Sequence, residues 1–450
     1  MFTAKWLTPS ALLTDLYELT MSQVYVERGM LAPATFSLFV RKLPRQRSFL
    51  LFAGLWPLLE ALRELRFSED DLAYLESLKL FKPTFLDYLK DFRFSGEVWA
   101  LPEGTVFFEN EPVVEITAPL PEAQIVETLV INLVNIETAI ATKAALCVLA
   151  AQGRPCVDFG ARRTQGLEAS LHAARASYIA GFTATSNVLA GKLFGLPVTG
   201  TMAHSYVESF DREEEAFRVF AENFPENTVF LIDTYDTLEG ARRAARVALK
   251  LKEKGLSVRG VRLDSGDVIE LSRKVRRVLD EAGLSEVKIF VSGGLDEKRI
   301  AEIVSSGAPV DAFGVGTKMG VSADAPYLDL AYKLVEYDGR PRMKLSEGKI
   351  TYPGRKQVFR RYADSGLMEE DLLALREEDL PGKPLLKCFM RERNLLETPP
   401  SLSTIRRRAA EEIARLPKEV RKGKRVPSPR VSEALARLYQ ETAEGLRKEI

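Results

Sequence analysis

Two histidines are all the imidazole this 450-residue chain contains. Imidazole is the side chain that acts near neutral pH as nucleophile or proton carrier. His172 sits in LEASLHAARASYI, whose spacing predicts a helix. His204 lies in GTMAHS (200–205), at the end of a short β-branched run that closes in small residues. That puts it at the C-terminal mouth of a predicted strand, where parallel α/β enzymes hold their active sites. The plain alternative is a strand-end histidine that makes a hydrogen bond and nothing more.

Other apolar runs end in the same fashion. VDFG, FTATS, TVFLIDT, VRGVRLDS, VKIFVSGG and VDAFGVGT each finish in polar residues or glycine. Their tips supply Phe159, Gly160, Arg162 and Arg163, then Thr185, Ser186 and Asn187, then Asp233 and Asp236. Later tips supply Arg262, Asp264, Ser265 and Asp267, then Ser292, Gly293 and Gly294, then Gly314, Gly316 and Thr317. With Gly200, Thr201 and His204 they line one mouth if the strands share a sheet. Arg162, Arg163 and Arg262 offer bidentate geometry to phosphate or carboxylate, unless Asp158, Asp264 or Asp267 takes them in salt bridges. SGG (292–294) and GVGT (314–317) let backbone N–H groups approach an anion. In barrels, phosphates often bind after the last two strands. Neither loop is a Walker A or GxGxxG motif. Asp233 and Asp236 are each open to three roles: magnesium ligand, cap of the next helix, or partner of the far nitrogen of His204. Asp236 is favoured for the last.

The elements that must position these residues alternate between Cys156 and Thr317. Helices are predicted at 165–180, 187–194, 211–223, 237–254, 267–282 and 296–306, between seven strands. Strands separated by helices imply right-handed crossovers and a parallel sheet. The count predicts a TIM-like α/β barrel, complete or nearly so; an open doubly wound sheet is the alternative. Upstream, a helix is predicted over 10–29 with Ser10 as N-cap, and strands over 34–43 and within 96–120, limited by Pro112 and Pro119. Further helices fall around 52–66, 82–91 and 121–150. After Thr317 the pattern turns to antiparallel strands, with turns at Asp338-Gly339 and Pro353-Gly354. The expected organisation is a barrel domain (146–327) set inside a discontinuous α+β domain, residues 1–145 completed by 328–450. Residues 401–450 read as a charged helical tail around the basic linker RKGKRVPSPR, a solvated loop.

Composition narrows the function classes. Sixty-three basic residues balance 63 acidic ones, so the chain offers no net field to nucleic acid or membrane. Cys147, Cys156 and Cys388 form no CxxC pair and read as reduced packing residues of a cytoplasmic protein. The N-terminus carries polar and acidic residues too early for a signal peptide, and no apolar run approaches the ~20 residues that span a bilayer.

Taken together, LTDLYELTM (13–21), DFGARRTQG (158–166), ATSNVLAG (184–191), GTMAHS, LIDTYDT (231–237), VRLDSGD (261–267), VSGGLDE (291–297) and FGVGTKM (313–319) resemble the nicotinate phosphoribosyltransferase family, in order along most of the chain. The resemblance implies formation of nicotinate mononucleotide and pyrophosphate from nicotinate and phosphoribosyl pyrophosphate, in NAD biosynthesis. It implies ATP as cosubstrate, with His204 the phosphorylated residue and Mg²⁺ held mainly by substrate phosphates. It implies a homodimer in which Tyr17 reaches in from the other subunit to stack on the pyridine opposite Phe159. Thr201 and Arg262 would hold nicotinate. Arg162 would grip phosphoribosyl pyrophosphate, with Ser292, Gly293, Gly294, Gly314, Gly316 and Thr317 around its 5-phosphate. Asp236 and Asp264 would join His204 and Arg262 in the catalytic set.

Nicotinamide-using cousins resemble the chain too, but carry an aspartate in the second strand-end motif. Here Ser186 stands nearest that place, which favours the acid over the amide. Quinolinate-using relatives are shorter and lack an ATP-linked histidine. A sugar-phosphate aldolase or isomerase would explain the glycines and arginines, but Lys318 is the only lysine near a strand end and its setting is polar. A non-catalytic pyridine-nucleotide sensor would need no phosphorylatable histidine.

Overall fold

The computed structural model describes residues 10–345, 350–426 and 428–449. The chain folds into two compact units, Met1–Thr142 with Tyr327–Ile450, and Lys143–Pro326.

The first unit is built on a seven-stranded antiparallel sheet. Strand Pro33–Val40 lies between Leu330–Tyr337 from the tail and Pro112–Pro119, so Leu38 faces Tyr332 on one side and Val114 on the other. Proline has no N–H to give to a ladder, and Pro112 and Pro119 are the two ends of their strand. A second sheet of four strands pairs Lys356–Tyr362 with Met368–Leu375. Arg360 in it is buried and bonds Asp371, Glu412 of helix Leu402–Arg415, and the Val106 carbonyl. That helix also buries Leu402, Ile405 and Ala409, so this stretch is core and not only a charged tail. Four residues of the expected hairpin region, 346–349, lie outside the described residues.

Three local expectations change. The N-terminal helix is Leu16–Glu27, with Asp15 at its N-cap position in place of Ser10. The Ser10 hydroxyl instead accepts from the Leu12 N–H. A helix at Glu69–Ser77 was not expected; Ser68 and Asp71 start it with a reciprocal capping box. Third, the apolar run near 121–150 is two helices, Leu120–Ile125 and Glu127–Ala151. By length and composition the stretch is apolar enough to cross a membrane, contrary to the sequence expectation, but most of it is buried inside the fold. Thr138 and Thr142 use their hydroxyls there on the backbone of Ala53 and Leu51.

One buried carboxylate makes the first unit sensitive to pH. Glu18 is fully buried and accepts from the Thr128 N–H at 3.1 Å and from the hydroxyls of Thr128 and Thr14. Burial outweighs these bonds and pushes the carboxyl up to about 7, from an ordinary value of 4.5. Between those values the native state holds a proton that the unfolded chain has released. The site's contribution is therefore full below the lower value and is lost as pH rises through about 7. Glu18→Gln is expected to flatten the decline of Tm between about pH 5 and pH 8. A thermal-denaturation series that gives the variant the wild-type profile would refute this.

The second unit carries a six-stranded sheet whose pairs are all parallel, in the order Ala184–Thr185, Cys156–Asp158, Ala312–Val315, Lys288–Val291, Gly260–Leu263, Val229–Leu231. The first strand in the chain thus pairs with the last, Val157 opposite Gly314. The seventh expected strand, in LPVTGTMA, is reduced to one bridge between Val198 and Thr185. Pro197 lacks an N–H and Gly200 favours no strand, so this run cannot hold a long ladder. Helices between the strands start on their own caps: Asn187 accepts from Ala190 N–H, Asp236 from Glu239, Asp267 from Ile269 and Asp296 from Arg299.

Candidate active site

Five of the parallel strands and the Val198 segment contribute to one cavity of about 190 Å³, so the sheet curls around it. Phe159, Thr201, Arg262, Ser292 and Gly314 line its strand-tip end. Val229, Phe290 and Phe313 form apolar wall. Its charged lining residues are Arg262 and Arg259, and none of the described lining residues is a carboxylate.

Arg262 is held but not neutralised. Its Nη2 donates to the Met202 carbonyl at 3.0 Å and its Nη1 to the Thr201 hydroxyl at 3.4 Å. The Nε is buried without a partner. The guanidinium carbon lies 6.0 Å from the centre of the Phe159 ring. Burial lowers its pKa, Asp264 and Asp233 oppose this, and the positive charge of Arg162 adds to the lowering. A desolvated guanidinium without a bonded counter-ion favours an incoming anion. Arg162 and Arg163 are exposed in the turn Ala161–Arg163, and neither makes an ion pair among the described residues. The carboxylate that sequence offered them, Asp158, is used by the Gly160 N–H and the Thr185 hydroxyl, both at 2.7 Å.

The glycines of the late strands are dictated by close approach. Gly293 has φ +86°, and a Cβ there would lie 2.0 Å from the Asp264 carbonyl oxygen. Gly294 is also left-handed, at φ +64°. A Cβ on Gly314 would strike the Phe159 ring at 2.4 Å, and one on Gly316 would meet the Phe159 carbonyl oxygen at 3.0 Å. Gly314, expected around a phosphate, therefore faces the aromatic ring. Thr317 opens the short helix Thr317–Gly320. Ser292 donates to the Asp264 carboxylate.

His204 begins helix His204–Glu208 and remains 37% exposed at its side chain. Its Nδ1 is 3.1 Å from the Thr234 hydroxyl, and its Nε2 is 3.9 Å from Asp233 Oδ1. The Asp233 side chain is buried, its Oδ2 accepts from the Asp264 N–H and the Ser265 hydroxyl, and its Oδ1 has no hydrogen-bond partner. The carboxylate facing His204 is thus Asp233, not the favoured Asp236. Asp236 is the residue before helix Thr237–Glu253, where its Oδ1 accepts from the Glu239 N–H.

Several other placements follow. His172 is buried in helix Leu167–Ile179. Ser186 bonds through its N–H to the Asp158 carbonyl and does not line the cavity. Lys318 pairs with Asp296 at 2.8 Å, which ties up the one lysine that suited a Schiff-base enzyme. Tyr17 belongs to the first unit, 45% exposed, with its phenol raised by burial and by Glu127. Arg259 and Asn227 were not singled out from sequence. They precede strands instead of following them, which is where a search of strand tips does not look.

Two family profiles match the chain: the nicotinate phosphoribosyltransferase (NAPRTase) N-terminal domain over residues 12–135, and the nicotinate phosphoribosyltransferase (NAPRTase) family over residues 155–349. A nicotinate phosphoribosyltransferase of Mycobacterium tuberculosis is 49% identical over 444 residues, 97% of this chain and 95% of that one. The crystal structure of human nicotinic acid phosphoribosyltransferase superposes with a TM-score of 0.86 at 32% identity, covering 95% of this chain and 99% of that chain. That of a nicotinate-nucleotide pyrophosphorylase from Pyrococcus furiosus gives 0.74 at 28% identity, covering 90% and 95%.

Proposed function

The chain belongs to the nicotinate phosphoribosyltransferase family, and on that premise we propose that it transfers the phosphoribosyl group of phosphoribosyl pyrophosphate to nicotinate, coupled to ATP hydrolysis, as a step of NAD biosynthesis. One observation carries the choice of substrate. The cavity presents guanidinium groups and no carboxylate among its described lining residues. An aromatic acid suits it, with its carboxylate on Arg262 and its ring against Phe159. Thr201 stands beside the same guanidinium. A carboxylate in the wall would repel the acid and favour the amide; none of the described lining residues supplies one.

In the transfer, the pyridine nitrogen donates its lone pair to the ribose C1, and the C1–O bond to pyrophosphate breaks with its electron pair. The ring nitrogen has no proton to lose, so no general base is needed. Positioning and charge carry the step. The turns at Gly293, Gly294, Gly316 and Thr317 hold the 5-phosphate on backbone N–H groups, and Arg162 holds the pyrophosphate. Ser292 and Asp264 brace the rim between them. Mg²⁺ carried in on the substrate phosphates would supply positive charge against the departing pyrophosphate.

ATP acts through His204. A ring nitrogen attacks the γ-phosphorus, ADP leaves, and water later hydrolyses the phosphohistidine. Asp233 stabilises the imidazole from its other side, the role the sequence had favoured for Asp236. The added charge at the mouth biases pyrophosphate binding and product release. Tyr17 stacks on the pyridine from a second copy of the chain, and exposed Leu13, Leu16, Met21 and Val24 give that copy an apolar surface to cover. The parallel unit is read as an incomplete TIM-like barrel inserted in a discontinuous α+β domain, in a cytoplasmic enzyme.

The test is one assay: purified protein, phosphoribosyl pyrophosphate and Mg²⁺ with nicotinate or nicotinamide, each with and without ATP. Nicotinate mononucleotide formation stimulated by ATP is expected. Preference for the amide would overturn the reading of the cavity.

A further inference from the structure

The two glycine turns that seat the 5-phosphate are not held to each other by backbone. Strand Lys288–Val291 pairs with strand Ala312–Val315 only at Phe290–Ala312 and Val291–Phe313. Among the described residues, no backbone hydrogen bond joins residues 292–297 to residues 316–320. Gly293, Gly294 and Gly316 have no side chains with which to set the gap themselves. A phosphate held by N–H groups from both turns is sensitive to that gap, because hydrogen bonds weaken steeply with misalignment.

Side chains bridge the two segments instead, and they do so twice within one unit. Asp296 follows the first turn and Lys318 follows the second. Lys318 Nζ donates to Asp296 Oδ2 at 2.8 Å. The other oxygen of Asp296 accepts from the Arg299 N–H, so one carboxylate caps helix Glu297–Ser305 and holds the lysine of the neighbouring turn. One residue on, Glu297 pairs with Lys143 at 2.5 Å, and Lys143 pairs with Asp324 at 3.0 Å, in the chain beyond helix Thr317–Gly320. This second bridge is the deep one, since Lys143 is buried. A buried cation between two carboxylates cannot leave without stranding both, so it fixes the feet of the two segments. The Asp296–Lys318 pair lies nearer the rim, with the Lys318 side chain 45% exposed.

We propose that Asp296 and Lys318 form a strut between the two turns, as positioning residues that set the width of the 5-phosphate seat without touching the phosphate. This rests on the placement of the 5-phosphate given above.

Steady-state kinetics of full-chain variants test it. Asp296→Asn keeps an oxygen for the Arg299 N–H and loses the ion pair, while Lys318→Met keeps the stem and loses the charge. Each should raise the KM for phosphoribosyl pyrophosphate about fivefold, the most that an exposed pair usually contributes, and leave the KM for nicotinate unmoved. The double variant should be no worse than either single one, because both remove the same interaction. Lys318→Arg should recover most of the loss. Unchanged KM for phosphoribosyl pyrophosphate in both single variants overturns the strut. So does a rise in Lys318→Met with a fall in Asp296→Asn, which would put the lysine on the phosphate itself. Gly294→Asp probes the seat separately. Aspartate tolerates the left-handed φ of +64°, and no neighbouring atom lies within 4 Å of a Cβ there. Its carboxylate should raise the same KM about tenfold or more by repulsion. If Gly294→Asp alone raises it, only the strut fails. If Gly294→Asp leaves it unchanged, the 5-phosphate placement fails and the strut with it.

Discussion

Arg262→Ala is expected to lower kcat/KM for nicotinate by roughly thirtyfold to several thousandfold, almost all of it in KM. Truncating one partner of a buried, hydrogen-bonded charge pair costs about 2–5 kcal/mol, and each 1.4 kcal/mol or so is a factor of ten. The structure puts Arg262 at the high end. Its guanidinium is desolvated, its Nε has no partner, and no described cavity residue is a carboxylate that would already neutralise it. Lysine cannot reproduce the fork that spans Met202, Thr201 and a bound acid, so Arg262→Lys should keep charge and still lose most of the gain. The KM for phosphoribosyl pyrophosphate, which depends on other strand tips, should move far less. Kinetics with nicotinate varied at saturating phosphoribosyl pyrophosphate read this directly. An Arg262→Ala enzyme with wild-type nicotinate KM would remove the residue from substrate recognition.

The second large effect is qualitative. His204→Ala should abolish stimulation by ATP while slow transfer from phosphoribosyl pyrophosphate persists, because the glycosyl step itself makes no use of imidazole. Label from the γ-phosphate of ATP should be retained by the wild-type chain and not by the variant. The carboxylates discriminate further. Asp233→Asn leaves the ring facing an amide and should weaken ATP stimulation by roughly 10- to 100-fold, by analogy with the cost of removing a carboxylate that orients a metal-bound histidine. Asp236→Asn should change little, since asparagine caps a helix as well as aspartate does. If Asp236→Asn uncoupled ATP and Asp233→Asn did not, the assignment made from the 3.9 Å approach of Asp233 to His204 would be reversed. Full ATP coupling in His204→Ala would end the phosphohistidine proposal.

Much of the scaffold was legible because its signals are local. The apolar–polar period changes between strand and helix, and Asn187, Asp236, Asp267 and Asp296 announce helix starts by being short polar residues placed before amphipathic runs. The same fact blurs the site. Four of the helices here start on a capping residue at or just after a strand tip, so a polar tip is expected there whether or not it does chemistry. From sequence Asp236 was favoured as the partner of His204; the structure puts Asp236 Oδ1 on a helix end and leaves Asp233 Oδ1 without a hydrogen bond, 3.9 Å from the imidazole. Glycine tips carried a related ambiguity. Gly293 is required by the Asp264 carbonyl and Gly314 by the Phe159 ring, contacts between segments about thirty and more than a hundred and fifty residues apart that no local pattern encodes.

The sequence by itself determined the alternation of parallel strands and helices, the concentration of arginine, glycine and carboxylate at the strand ends, and the singular position of His204, because these follow from propensity, period and chain order. Tertiary structure alone decided which carboxylate faces that imidazole, that the Arg262 Nε is buried and unpaired, and that no strand pairing closes the sheet beside Val198 among the described residues. Those outcomes depend on how distant edges meet and on which buried atoms lose water when they do, and neither is a property of any stretch of chain taken alone.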